Sequence, residues 1–293
     1  MSPRWNRCSA KRALIFAAAA TLASILQAGT AGAAQPNCPD LPSSLSFARF
    51  QDDFSGGALD TCNWKILNEA WAAGDDNGGV VRENVSVHDG MVRLRAFGNR
   101  YSGLVRGVSA DGNIRPDGRR AGAAISTTRR FLGGRFEARV RIAGRLGVCS
   151  AMWTYFNVEK PSGETLNHEI DIEFPGRAHI DAPPSLEHVA LTTWTGMKKG
   201  QWKTAFQPLR KPTTDFLVLR FDWRPPSSSD SGRVDFYIDG ELIHSARAHI
   251  PSEPSPLLLG VWFPKTWAGE PDFDETDMLI DWVRVSPLDI GGD

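Results

Sequence analysis

Glu169, Asp171 and Glu173 occupy every second position of Asn167-His168-Glu169-Ile170-Asp171-Ile172-Glu173-Phe174-Pro175-Gly176. With the period of two that a β-strand imposes, the three carboxylates fall on one face, and Ile170, Ile172 and Phe174 on the other. Like charges in a row repel, and an ordinary water-facing strand intersperses Thr, Lys and Arg, so the pattern asks for a purpose. Two carboxyl groups flanking a scissile glycosidic bond are the working parts of most glycoside-cleaving enzymes. The Cα atoms of Glu169 and Glu173 stand about 13 Å apart on a strand, whereas the retaining form of that chemistry needs carboxyls roughly 5 to 5.5 Å apart. The long Glu side chains would have to lean together over Asp171. Asp171 would then share a hydrogen bond with an ionised nucleophile and favour protonation of the other Glu, and the three would titrate as a coupled set. Taken alone, E-x-D-x-E also describes a solvated acidic edge strand, and only the surrounding elements decide between the two.

Those elements read as strands. Val85-Ser86-Val87-His88 and Met91-Val92-Arg93-Leu94-Arg95-Ala96 alternate on either side of Asp89-Gly90, and Phe236-Tyr237-Ile238 and Glu241-Leu242-Ile243 flank Asp239-Gly240. Asp-Gly between alternating runs predicts two hairpins. Further strands are expected over 123–127, 135–142, 149–156, 188–195, 216–223, 257–263 and 278–285, with no amphipathic helix and no internal repeat in the sequence. Short strands punctuated by Gly, Pro, Asn and Asp indicate an all-β domain of two packed antiparallel sheets. Residues 68–79, which include Trp71, read as a loop, and 99–122 as a long insertion. Nine tryptophans follow Trp5, material for a groove in which indole faces stack on pyranose rings, although core packing accounts for most of them.

The length of 293 residues fits one such unit, since all-β sandwiches commonly reach roughly 200 to 250 residues. A formal net charge of -1 gives no electrostatic case for DNA, RNA or an anionic membrane as partner, so a neutral partner fits better. Residues 1–34 have the layout of a secretory signal: Arg4, Arg7, Lys11 and Arg12 precede an apolar run from Ala13 to Leu26, and small residues lead to Ala34. That run is shorter than the roughly 20 residues of a membrane span, so the mature protein is expected to be secreted, extracellular or periplasmic, and free of the membrane. In an oxidising compartment Cys38 is expected to pair with Cys62, and Cys149, within an apolar stretch, to remain a buried thiol. No Cys/His cluster has zinc spacing, and no Cys/His pairing signature surrounds Cys149.

Beyond the acidic strand, an ordered set of segments resembles glycoside hydrolase family 16, the laminarinase and lichenase group. Glu169-Ile170-Asp171-Ile172-Glu173-Phe174 with Pro175-Gly176 is similar to the family's E-I-D-x-E-F-x-G in its form without a β-bulge. Gly134-Arg135-Phe136-Glu137-Ala138-Arg139 resembles the strand leading to the A-x-W-x segment, here Ala151-Met152-Trp153-Thr154. Phe221-Asp222-Trp223-Arg224-Pro225, Phe236-Tyr237-Ile238-Asp239-Gly240, Ile250-Pro251-Ser252, Val261-Trp262 and Asp281-Trp282-Val283-Arg284-Val285 follow in the family's order. The likeness covers 47–286 and implies a concanavalin-like β-jelly-roll sandwich of two curved antiparallel sheets. Residues 35–46 are then an N-terminal arm and 287–293 a C-terminal tail.

The resemblance implies that Glu169 is the nucleophile, Asp171 the assisting carboxylate and Glu173 the general acid/base of a retaining, endo-acting enzyme on a neutral polysaccharide, foremost a β-glucan. Trp153, Trp194 and Trp262 match positions of cleft aromatics, with core packing the alternative for each. His168, beside the nucleophile, is a candidate for tuning the acids or a simple hydrogen-bonding neighbour. Thr192 and Gly260 stand where lichenase-like members carry substrate-contacting Asn, so linkage specificity is expected to lie with these departures. No cofactor is required; many members hold a structural calcium on the convex side, and no string here demands one. A monomer is expected. Two alternatives stay open: a transglycosylase that passes the glycosyl intermediate to a sugar, and a non-catalytic carbohydrate-binding jelly roll, which would have no need for all three acids.

Overall fold

The computed structural model describes residues 38, 49–69, 79–98, 120–211, 213–264 and 267–288. In chain order the strands begin with β1 (Phe50–Asp52), β2 (Trp64–Ile66), β3 (Val85–His88), β4 (Met91–Phe97), β5 (Ala123–Thr127) and β6 (Gly134–Arg141). There follow β7 (Cys149–Glu159), β8 (Thr165–Phe174), β9 (Gly176–Arg177), β10 (Pro184–Ser185), β11 (His188–Trp194) and β12 (Trp202–Pro208). The last are β13 (Leu217–Arg224), β14 (Arg233–Ile238), β15 (Glu241–Ala246), β16 (Leu257–Trp262) and β17 (Glu275–Ser286). A seven-stranded sheet runs β12-β11-β8-β7-β16-β5-β2, and an eight-stranded sheet runs β15-β14-β13-β6-β17-β4-β3 with β1 beside β17. All pairings within both sheets are antiparallel. Among the described residues there is no α-helix, hence none long and apolar enough to cross a membrane.

Alternation builds the core. Ile170, Ile172 and Phe174 of β8 and Leu257, Leu259 and Val261 of β16 join Phe136, Phe221, Trp223 and Phe236 of the opposite sheet in one buried cluster. Each such side chain contributes about 1.5–3 kcal/mol by leaving water. This also pins the register of β8, because a slip of one residue would drive three carboxylates into the core. Both Asp-Gly hairpins form as the sequence predicts. Asp89 and Gly90 have φ of 51° and 70°, and Asp239 and Gly240 51° and 82°, the paired left-handed residues that a two-residue turn needs to match strand twist.

The structure departs from the sequence reading in several places. Strand β12 was not expected: Trp202-Lys203-Thr204-Ala205-Phe206-Gln207-Pro208 lies at a sheet edge, half-exposed on both faces, so no apolar alternation marks it. Strands β1 and β2 are too short to show a period and exist by pairing with β17 and β5. Ala121 and Gly122, expected within the insertion, are buried and bridge Phe97 and Val80. Residues 99–119 of that segment, Trp71, residues 1–34 and most of the N-terminal arm and C-terminal tail lie outside the described residues. Cys38 and Cys62 are joined by a disulfide, and Cys149 is a buried free thiol.

Candidate active site

The residues on the outer face of the seven-stranded sheet stand in rows set by register. Tyr155, Glu169, Trp194 and Trp202 form one row across β7, β8, β11 and β12. Trp153, Asp171, Thr192 and Thr204 form the next, and Ala151, Glu173, Ala190 and Phe206 the third. Strand β16 extends the last two rows with Leu258 and Gly260. The three acids therefore share the face turned away from the core, with Asp171 buried and both Glu side chains half-buried.

Each acid has its own surroundings. Asn167 Nδ2 donates to Glu169 Oε2 at 2.6 Å, and Asn157 Nδ2 donates to Asn167 Oδ1 at 3.0 Å. Trp194 Nε1 donates to Asp171 Oδ2 at 2.7 Å. Glu173 lies between Ala151 and Ala190, whose side chains offer it no hydrogen bond.

Burial raises all three, and repulsion from neighbouring glutamates adds to it at Asp171 and Glu173. Burial pushes Glu169 up to about 7, against the Asn167 bond, which favours its anion. Burial, then the Glu169 charge, pushes Glu173 up to about 8. Asp171 is pushed well above the carboxylate range by burial and by a glutamate on either side, with only the Trp194 indole opposing. The set therefore keeps protons near neutral pH. Burial, then Glu169 and Glu69, likewise raises the Tyr155 phenol, which stays protonated beside Glu169.

The aromatic candidates divide. Trp194 stacks on Trp202 with ring centroids 4.9 Å apart and planes at 24°. Trp153 is buried and packs 5.3 Å from the half-buried Trp262, over Cys149, Ala151 and Leu258. Thr192 is on the acid-bearing face, but it is only 3% exposed and its hydroxyl is engaged with that of Thr204 at 3.0 Å, so it is floor rather than an open contact. Gly260 has a packing reason: a Cβ there would come within 2.9 Å of Trp153 Cη2 and 3.0 Å of Ala124 Cβ. His168 does not join the site. Odd and even residues of β8 face opposite ways, and His168 accepts the Ser252 N–H at Nδ1, 3.0 Å away, with its ring edge-on to Phe156.

Sequence reasoning missed Asn157, Asn167, Tyr155 and Trp202. The alternation that groups the acids includes Asn167, and that of Trp153 includes Tyr155 and Asn157, so period two marks three of the four. A cavity lined by Leu209, Leu217, Ile238, Leu242 and Ile243 contains none of the three acids.

The chain as a whole is similar to known proteins. The model of "Glycosyl hydrolases family 16" matches residues 83–284. The chain belongs to that family. The β-glucanase of Paenibacillus macerans is 30% identical over 211 residues, covering 72% of this chain and 69% of that one. The β-glucanase of Brevibacillus brevis is 28% identical over 161 residues, and there the chain spans only 56% of its relative's length. A solved family structure, a prokaryotic β-1,3-1,4-glucanase (lichenase) from a mouse hindgut metagenome, superposes with a TM-score of 0.63 at 23% identity, covering 83% of this chain and 100% of the other. Family 16 membership and this superposition make the two-sheet sandwich a β-jelly roll. Among the described residues no group of three or more His, Cys, Asp or Glu converges as a metal site.

Proposed function

We propose that this protein is a secreted, monomeric endo-β-glycanase that hydrolyses a neutral polysaccharide, foremost a β-glucan, with retention of anomeric configuration. The observation that carries the reading is the row of Glu169, Asp171 and Glu173 on one sheet face, each in different surroundings. Their differing environments support distinct roles. Glu169, which receives a hydrogen bond from Asn167, is the nucleophile. Glu173, raised to about 8, is the acid. Glu169 attacks the anomeric carbon as Glu173 gives its proton to the glycosidic oxygen; the C–O bond breaks, the leaving chain departs as an alcohol, and a glycosyl ester remains on Glu169. Glu173, now ionised, takes a proton from water, whose oxygen attacks the same carbon and frees Glu169. Asp171, held by Trp194, spaces the two and couples their protons. The stacked Trp194 and Trp202 and the Trp153–Trp262 pair flank this row as aromatic surface for sugar rings. The sequence of steps uses no cofactor.

Names of relatives support the substrate class, since both sequence relatives described above are β-glucanases. Glu173→Ala tests the mechanism. On an activated aryl β-glycoside, azide is expected to restore turnover and yield a β-glycosyl azide; an α-product would contradict retention. Mass analysis of products from a panel of β-glucans, xyloglucan and galactans then identifies the substrate, and chains longer than the starting oligosaccharide would mark a transglycosylase instead.

A further inference from the structure

Glu169 and Glu173 are the same residue type on the same face of the same strand, so something outside the acidic motif must make one the anion and the other the acid. The difference in their neighbours is sharp. Glu173 stands between two alanines, whereas Glu169 has Tyr155 and Trp194 beside it and Asn167 two residues before it. Asn167 is 1% exposed and is paired across the strands with Asn157. An amide can present either its oxygen or its NH2 to a carboxylate, and only the NH2 is attractive. Because the Asn157 NH2 occupies the Asn167 oxygen, the Asn167 NH2 is turned toward Glu169. The bond lands on Oε2, and among the described residues no hydrogen bond is seen to Oε1.

We propose that Asn157 and Asn167 form a two-link amide relay that holds Glu169 ionised and oriented, and so decides which of the two glutamates acts as nucleophile. The inference rests on the functional reading above and extends it to two positioning residues that touch no substrate. The titratable groups around Glu169 are Asp171 and Glu173 on β8 and Tyr155 on β7, with Glu69 acting on Tyr155 from beyond. All are acids, so the relay's neutral donor is what favours the anion at this one position, and a donor to a charged acceptor is the stronger kind of hydrogen bond.

Asn167→Ala, Asn167→Asp and Asn157→Ala test the relay. For an attacking anion, kcat/KM falls as pH drops through the pKa of Glu169, so loss of the donor moves the acidic limb upward. Asn167→Ala is expected to move it by about one pH unit and to lower kcat by about ten- to a hundredfold. Asn157→Ala should move it less, in the same direction. Asn167→Asp keeps the shape but sets a carboxylate against Glu169, and should be worse than alanine. A role in packing alone predicts the reverse order for alanine and aspartate, and that order, or an unmoved acidic limb in all three variants, would overturn the relay. The carbon-13 shift of the Glu169 carboxyl, assigned by difference with Glu169→Gln, follows its titration without substrate. A wild type that cleaves no β-glycan while Glu169 titrates higher in Asn167→Asp overturns the functional reading and leaves the relay standing. An unchanged Glu169 titration overturns the relay whatever the activity.

Discussion

Both large sheets carry buried and half-buried acids on their outer faces, and the two sets are held in opposite ways. On the eight-stranded sheet three are bracketed by pairs of arginines: Asp222 by Arg135 and Arg220, Asp235 by Arg224 and Arg233, Asp277 by Arg93 and Arg141. Burial pushes Asp222 up, but the hydrogen bonds and charges of Arg220 and Arg135 outweigh it and hold its carboxyl below the usual range. On the seven-stranded sheet the donors to Glu169 and Asp171 are a neutral amide and an indole, the adjacent charges are like charges, and the acids titrate upward. Strand alternation places acids on both faces. What separates scaffold from chemistry is whether the neighbours supply countercharge or withhold it.

The largest effect should come from neutralising the unmatched set. Glu169→Gln and Glu173→Gln are each expected to lower kcat by roughly 10^4-fold or more. Each also removes one of several crowded like charges, so the melting temperature should hold or rise by up to roughly 3 °C. Turnover assays beside calorimetry read both quantities, and full activity in either variant would sink the role assignment.

The matched set should respond the other way. Asp222→Asn leaves Arg135 and Arg220 without their shared carboxylate and is expected to cost about 2 kcal/mol of stability, with kcat unchanged. The pH dependence separates the faces by sign. Asp222, depressed in the folded state, contributes stability above the usual carboxylate range and loses it as pH falls. Glu173, raised from 4.5 to about 8, ionises first in the unfolded chain, so stability declines as pH rises between those values. Denaturant titrations across pH should show Asp222→Asn flattening only the loss of stability at low pH and Glu173→Gln only the decline between pH 4.5 and about 8. Flattening on the same side by both would remove the distinction.

Legibility in the sequence follows the same physics. The acids, the core face of β8 and the Asp-Gly hairpins follow from period two and from left-handed turn residues, both local properties. Strand β12 is held by its neighbour β11 rather than by its own pattern, so it and Trp202 left no local trace. Roles depended on cross-strand partners: Asn157 meets Asn167 only because of the β7–β8 register, and Trp194 reaches Asp171 only because β11 lies beside β8. The sequence reading placed His168 beside the acids by proximity along the chain, and alternation alone would have put it on the other face.

The smallest effect concerns a place where the acid-bearing sheet withholds bulk as well as charge. Gly260 lies in the row of Glu173, and the Trp153 ring occupies the space a side chain would fill. Gly260→Ala must displace that ring or push β16 away from β5, at about 1–3 kcal/mol of stability. If Trp153 is a wall of the sugar site, its displacement weakens ground state and transition state alike, and KM should rise about three- to tenfold with kcat nearly constant. A matching loss in kcat would mean that the shift reaches Glu173 along the row. No change in KM, with stability lowered, would assign Trp153 to packing and leave Trp194 and Trp202 as the aromatic surface that meets the substrate.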